Sequence, residues 1–269
     1  MAEEWLRAAS RPLKPARVDA SVPNVARVWN YLVGGRDNFE ADRRAAEQLI
    51  ALAPVMAHVA PASRAFLRRT VTYLAAEAGI RQFLDIGTGI PAAGNTHEVA
   101  QGAEPSCRVV YVDNDPVVLA HARAGLRSSA EGATSYLDAD ARDTETIIDG
   151  ARATLDLTRP VGVIMIDILN FIEDAADVLA RLTAAVPAGS YLVVMQPSRD
   201  ERLAVAARRW NQLPTPPVFL RGRAEVTRWF GGLELVEPGI VDVDQWRPEP
   251  CDRLLPGGMP LLGAVARKP

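Results

Sequence analysis

Val25, Val28, Trp29, Leu32 and Val33 recur at helical spacing until Gly34-Gly35 interrupts them, which predicts an amphipathic helix. Ser21 is its expected cap, and Pro23 is tolerated in a first turn. Two further helices are predicted, over about 40–53 and from Pro61 to Gly79, the second with Phe66, Leu67, Thr70, Val71 and Leu74 on its apolar face. The pattern then alternates. Apolar runs at 83–86, 108–112, 134–137, 161–166 and 191–195 read as strands, with helical stretches between them such as 117–127 and 174–186. Short buried strands separated by helices imply a parallel sheet covered on both faces, because each crossover returns the chain to the same end. The fold class is α/β. Helices at about 199–210 and 225–230 follow, separated by Pro214-Thr215-Pro216-Pro217. Strand-like 233–236 and the tail 261–266, entered through the Gly257-Gly258 turn, complete the pattern. Residues 1–20, with Pro12 and Pro15, read as a loose arm. The expected division is an N-terminal arm and helical cap over 1–80 and one α/β unit over 81–269.

A chain of 269 residues is long enough to bury a substantial core. With 48% hydrophobic residues, 23% charged residues and a formal net charge of −3, it offers no bulk attraction to nucleic acid or to an anionic membrane. Neither partner is expected. Lys14 and Lys268 are the only lysines, an arginine bias that reads as codon habit and not as a phosphate-binding device. Cys107 and Cys251 are far apart, and only His58, His97 and His121 could join them, so neither a structural metal nor a disulfide framework is expected. Acids stand near the N-terminus where a signal peptide needs basic residues, and no apolar run approaches the ~20 residues of a membrane span. A cytoplasmic location is the resulting expectation.

The candidate chemistry sits at strand ends. Phe83-Leu84-Asp85-Ile86-Gly87-Thr88-Gly89 is a short apolar strand that closes on an acid and runs into two glycines, which lets a bulky cofactor approach the backbone. The run Val109-Val110-Tyr111-Val112-Asp113 places a second carboxylate 24 residues past Gly89, about where ribose hydroxyls are received. After the next strand, Asp140 in Leu137-Asp138-Ala139-Asp140-Ala141 is placed to accept from an adenine amino group. A dinucleotide is the competing ligand, since Gly87-x-Gly89-x-x-Ala92 satisfies the relaxed fingerprint. Against it, Pro91 removes a backbone donor, Asn95 marks a later helix start, and Asp85 sets a negative charge where a diphosphate would lie. S-adenosylmethionine carries an ammonium and no phosphate, which reverses that penalty.

At these residues the chain resembles class I S-adenosylmethionine-dependent methyltransferases. More closely, it is similar to a bacterial S-adenosyl methyltransferase family long filed as a domain of unknown function. The likeness runs from about Val18 to Lys268. It rests on the segment from Arg27 to Asn38, on the glycine segment with Gly94-Asn95-Thr96-His97-Glu98, on Tyr111 to Pro116, and on the closing Gly-Ala-Val-Ala-Arg-Lys-Pro. The resemblance implies a Rossmann-like, seven-stranded, mostly parallel sheet with an antiparallel last strand. It puts Asp85, Gly87, Thr88 and Gly89 at the methionine end of the cofactor, Asp113 at the ribose and Asn114 at the adenine edge. Asp140 and Ala141 fall at the adenine amino group and ring, and Asp167 to Phe171 on the methyl side, where Asp167 and Ile168 are cofactor contacts. Tyr31 and Asn38 are carried over as cofactor contacts too. The chain departs from the family at Pro91, which replaces the third motif glycine, at Asn170, where a histidine is usual, and at Asn30-Tyr31 in place of Asp-Tyr.

Methyl transfer from a sulfonium is an in-line displacement, so the catalytic work is holding the acceptor close and aligned. A base is needed only when the nucleophile must lose a proton. Asp167 is the first candidate, because burial would raise its pKa into a useful range, with Asn170 and Tyr31 beside it and Asn38 and His97 as further groups within reach. The expected activity is S-adenosylmethionine-dependent methylation of a small molecule, with S-adenosylhomocysteine as product. A non-catalytic S-adenosylmethionine-binding sensor is the alternative. Trp210, Trp229 and Trp246 are expected to be core.

Overall fold

The computed structural model describes residues 18–125, 127–250, 252 and 254–269, without the side chains of 123–125. The expected loose arm therefore lies almost wholly outside the described residues, as does Cys251. Three helices open the described chain: α1 (Val25–Leu32), α2 (Glu40–Leu52) and α3 (Met56–Thr72), the last continuing through a wider turn over Tyr73–Glu77. Helix α1 is capped by Asn24, whose side chain accepts from the Arg27 amide at 3.1 Å, and not by Ser21, whose hydroxyl donates to Asp19. Helix α3 starts before Pro61 and carries it internally. The burial of Val59, Phe66, Leu67 and Val71 sustains the helix across the missing donor. Arg27 and Asp42, 4% and 0% exposed, pair at 2.8 Å and tie α1 to α2.

The alternating region forms β1 (Gln82–Ile86), α4 (Thr96–Ala103), β2 (Arg108–Asp113), α5 (Pro116–Gly125), β3 (Ala133–Asp138), α6 (Thr144–Ala151), β4 (Gly162–Met165), α7 (Ala175–Ala185) and β5 (Tyr191–Pro197). Helices α8 (Glu201–Trp210) and α9 (Arg223–Arg228) precede the short strands β6 (Glu234–Leu235) and β7 (Val241–Asp242) and the long β8 (Leu261–Arg267). The sheet order is β3-β2-β1-β4-β5-β8-β6, with β7 also paired to β8. The first five strands are mutually parallel, and β8 runs antiparallel against β5. This is the expected architecture with one addition, since the two-residue β7 is too short to leave a periodic signal.

Strand alternation divides the core. Leu84, Ile86, Val110, Val112, Val163 and Met165 point to the face covered by α6 and α7, while Phe83, Val109, Tyr111, Ile164 and Val193 point to the face covered by α3 and α4. All five β1 residues are buried, which accounts for the apolar Phe83, Leu84 and Ile86 on both faces and leaves Asp85 as the one acid among them. Asp85 shares the parity of Phe83 and so faces α3 and α4. Strand order reverses between β1 and β4, and the carboxyl ends of these strands open a crevice there.

Candidate functional site

Above that crevice lies a cavity of about 580 Å³, within the usual size of a small-molecule site of ~300–1,000 Å³. Its floor is built by the β1 turn. Gly87 and Gly89 take φ of +79° and +65°, a region that L side chains rarely adopt. A Cβ on Gly87 would stand 2.5 Å from the Ile168 Cβ, so the ends of β1 and β4 close on each other only because that position is bare. A Cβ on Gly89 would meet nothing within 4 Å, and its backbone borders open cavity.

Three carboxylates surround this floor. Asp85 is 8% exposed and accepts from the Thr96 hydroxyl at 2.6 Å. Burial pushes its pKa up to about 6, against the pull of that hydrogen bond and of the nearby Arg64 guanidinium. Asp113 accepts from the Gly89 amide and from the Asp115 amide, both at 2.9 Å, one on each oxygen. Each oxygen keeps a lone pair for a further donor, and burial raises this carboxyl too. Asp167 is a non-glycine residue at φ +60°, a strained backbone that turns its carboxyl onto the cavity. It retains some exposed surface where it borders the cavity, yet the protein packed around it raises its pKa to about 8, with Ser63 and Arg64 opposing the shift.

Arg64, on α3, lines the same space and donates to the Ala93 and Gly94 carbonyls at 3.0 and 2.7 Å. At the far end, Asp140 is gripped by the Arg142 side chain at 2.8 and 2.6 Å and by Asn114 at 3.2 Å. The Arg142 fork lowers its pKa. An adenine amino group would have to exchange with one of these partners. The loop after β4 is held by Arg221, 3% exposed, which donates to the Leu169, Ile172 and Glu173 carbonyls, to Gln196 and to Glu225. On that loop Asn170 is 6% exposed and lines the cavity, and its Oδ1 has no hydrogen-bond partner.

Of the residues singled out in the sequence, the fold gathers Asp85, Gly87, Thr88, Gly89, Asp113, Asn114, Asp140, Ala141, Asp167, Ile168 and Asn170 around one cavity. Tyr31 and Asn38 stand outside its lining. Val25, Val28, Trp29 and Leu32 form the cavity face of α1, and Tyr31 lies off that stripe with its hydroxyl on Glu47 at 3.0 Å. The Asn38 side chain braces the preceding loop by donating to Asn30 and to the Gly35 carbonyl. His97 is buried, with Nδ1 2.9 Å from the Tyr111 hydroxyl, and serves the core. Trp246 is core, as expected, and Trp210 is both core and cavity wall. Sequence reasoning missed Trp29, Ser63, Arg64 and Arg221. For Arg64 a signal existed, a cation beside the apolar positions Met56, Val59 and Leu67 of the same helix.

The helix that follows the glycine turn is closed to phosphate. Glu98 accepts from the Gly94 and Asn95 amides at 2.7 and 3.0 Å, and Asp85 holds Thr96, so the first turn of α4 carries its own anions. The donor set fits a cationic, zwitterionic ligand instead: acids at the floor, one guanidinium among them, and a bare backbone at Gly89.

A family model described as S-adenosyl methyltransferase matches residues 12–269. Among solved structures, a DUF574 family protein from Streptomyces avermitilis is 42% identical, covering 94% of this chain and 100% of its own, with a TM-score of 0.90. A candidate methyltransferase from Thermobifida fusca is 39% identical over 96% of this chain and 99% of its own, with a TM-score of 0.86. Magnesium protoporphyrin IX methyltransferase from Synechocystis, solved with bound S-adenosylhomocysteine, is 11% identical with a TM-score of 0.52, covering 90% of this chain and 93% of its own, a likeness of fold alone. No curated protein matches the chain.

Proposed function

The chain belongs to the S-adenosyl methyltransferase family, and from that membership we propose that this S-adenosylmethionine-dependent enzyme methylates a small molecule taken into the roofed end of its cavity. The observation that carries this reading is the division of one cavity into two chemical halves. One half is the acid and glycine floor. The other is walled by Trp29, Leu49, Phe171, Trp210 and Phe219 beneath α1, α2 and α8, a space suited to a compact acceptor and not to a polymer.

When bound, S-adenosylmethionine supplies a methyl carbon made electrophilic by its sulfonium. Asp85 and the turn from Gly87 to Gly89 are placed to receive the ammonium of its amino acid end, and Arg64 its carboxylate. Asp113 keeps lone pairs for ribose hydroxyls, and Asn114, Asp140 and Ala141 border the adenine position. The apolar roof keeps water from the reacting end. Asp167 takes the proton that the acceptor loses, and its raised pKa suits a base working near neutrality. Arg221 keeps the loop bearing Asp167 and Asn170 in one conformation.

Incubation with methyl-labelled S-adenosylmethionine and a metabolite extract is expected to place label in a small molecule, with Asp167→Asn slowing transfer roughly 10²-fold or more. Label recovered only in macromolecules, or donor binding without any transfer, would refute the reading and favour in turn a polymer acceptor or a sensor.

A further inference from the structure

Asp115 sits where three elements meet. Its backbone amide donates to Asp113, the acid placed for the ribose, at 2.9 Å. Its Oδ1 accepts from the Val117 amide at 2.8 Å and its carbonyl from the Leu119 amide at 3.0 Å, which starts α5. Its Oδ2 accepts from the Asn24 side-chain amide at 2.7 Å, across 91 positions of chain. Asn24 is the cap of α1, where its Oδ1 is spent on the Arg27 amide and its Nδ2 is left to reach Asp115. Among the described residues this is the one hydrogen bond that joins α1 or its cap to the α/β unit. The buried pair of Arg27 with Asp42 ties the helix to α2 instead. Beside the bond, a small apolar contact of Ala26 with Ile90 and Val118 seats α1 on the glycine turn and on α5. Val25, Val28, Trp29 and Leu32 of α1 line the same cavity as Asp113 and Asn114. Helix α1 therefore closes one side of the space that receives the cofactor, and the bond to Asp115 fastens its first turn there.

We propose that Asn24 and Asp115 form a latch, a pair of positioning residues that hold α1 over the cofactor and set how fast it leaves. Neither residue lines the cavity, so both act through others, Asn24 through α1 and Asp115 through Asp113. The inference rests on the family's S-adenosylmethionine site and is independent of which acceptor is methylated. A hydrogen bond from an amide to a carboxylate is stronger than one between neutral groups, and without it only a three-residue apolar contact seats the first turn of α1. The chemistry of the pair also allows it to be exchanged. In Asn24→Asp the Arg27 amide keeps its acceptor, but two carboxylates face each other. In Asp115→Asn the Asp113 bond survives, because it uses the backbone, but the new amide must set its N–H groups against either Asn24 or the Val117 amide. With both changes together, residue 115 donates to residue 24, and the caps of α1 and α5 are both kept.

The test uses the full chain loaded with labelled S-adenosylhomocysteine, whose release is timed after an excess of unlabelled compound is added. Each single variant is expected to release it about tenfold faster or more, and the double variant to return to within about threefold of the parent. A tie that serves only the fold would lower the melting temperature of the ligand-free singles and leave release unchanged. That result, or a double variant as fast as the singles, would overturn the proposal. Hydrogen exchange on the parent chain decides the matter even if a single variant does not fold. Bound S-adenosylhomocysteine is expected to slow exchange of the Val28 to Leu32 amides together with those of Val117 and Leu119, and no slowing in α1 would also overturn the latch. If the parent fails to bind S-adenosylhomocysteine, the methyltransferase reading falls with it, whereas binding with release indifferent to both residues sinks the latch alone.

Discussion

Gly87 and Asp167 stand on adjoining strand ends, and both use left-handed backbone, one because it lacks a side chain and the other in spite of having one. Gly87→Ala would combine that unfavourable backbone with a Cβ 2.5 Å from Ile168. It is expected to cost about 1–3 kcal/mol in urea denaturation and to weaken donor binding by prising β1 from β4. For Asp167 the consequence is a pH dependence. Its folded pKa of about 8, and that of about 6 for Asp85, lie above the ordinary value of 3.8, so the folded chain binds these protons more tightly than the unfolded chain does. Stability of the ligand-free protein is therefore expected to be greatest at acid pH with respect to these groups, and to fall as pH rises toward about 8. Arg64 and Ser63 from α3 moderate the effect at Asp167, while Arg64 and Thr96 oppose and Asp113 reinforces it at Asp85. Asp167→Asn is expected to remove the fall between about pH 6 and 8 in denaturation curves taken across that range. An unchanged slope would show that the Asp167 carboxyl titrates elsewhere.

At the scale of elements, the active loop after β4 owes its shape to a residue about fifty positions away in the chain. Arg221 satisfies the Leu169, Ile172 and Glu173 carbonyls at once and lies over the Phe219 and Trp229 rings. No other side chain type presents so many donors in one fixed plane. Arg221→Met is expected to destabilise the chain by about 3 kcal/mol, because several buried carbonyls and the Glu225 carboxylate lose their donor together. Arg221→Lys should recover only part of that loss. Turnover is expected to fall more than donor affinity does in either variant, since the floor at Gly87 to Gly89 does not touch Arg221; equal losses in both would argue that the clamp supports the whole cavity.

The whole molecule couples ligand to stability, because the cavity is walled by α1, α2, α3 and α8 as well as by the sheet. S-adenosylhomocysteine at about 100 times its dissociation constant is expected to add roughly 2.7 kcal/mol, a melting shift of about 5–10 °C for a chain of this size. NAD at the same concentration is expected to give none, since Glu98 and Asp85 already occupy the α4 start where a diphosphate would bind. A scanning fluorimetry series with both ligands checks this, and a shift with NAD would contradict the electrostatic argument.

The sequence by itself determined the parallel order of strands and helices, because a strand buried on both faces must be continuously apolar and each crossover must be helical. It also placed the carboxylates Asp85, Asp113 and Asp167 and the bare Gly87 and Gly89 at or near the carboxyl ends of β1, β2 and β4, since polar residues and glycines there interrupt or follow the apolar runs. Helical period was legible as well, and it already set Tyr31 apart from the stripe Val25, Val28, Trp29, Leu32. What no local pattern carries is which distant elements meet. Arg64 reaches the floor, Arg221 grips the loop after β4 and Trp210 turns its ring to the cavity only because α3, α8 and the segment before α9 pack over the sheet. The unpaired oxygen of Asn170 is decided in the same way, because whether a buried polar atom finds a partner depends on the neighbours that tertiary packing assembles around it.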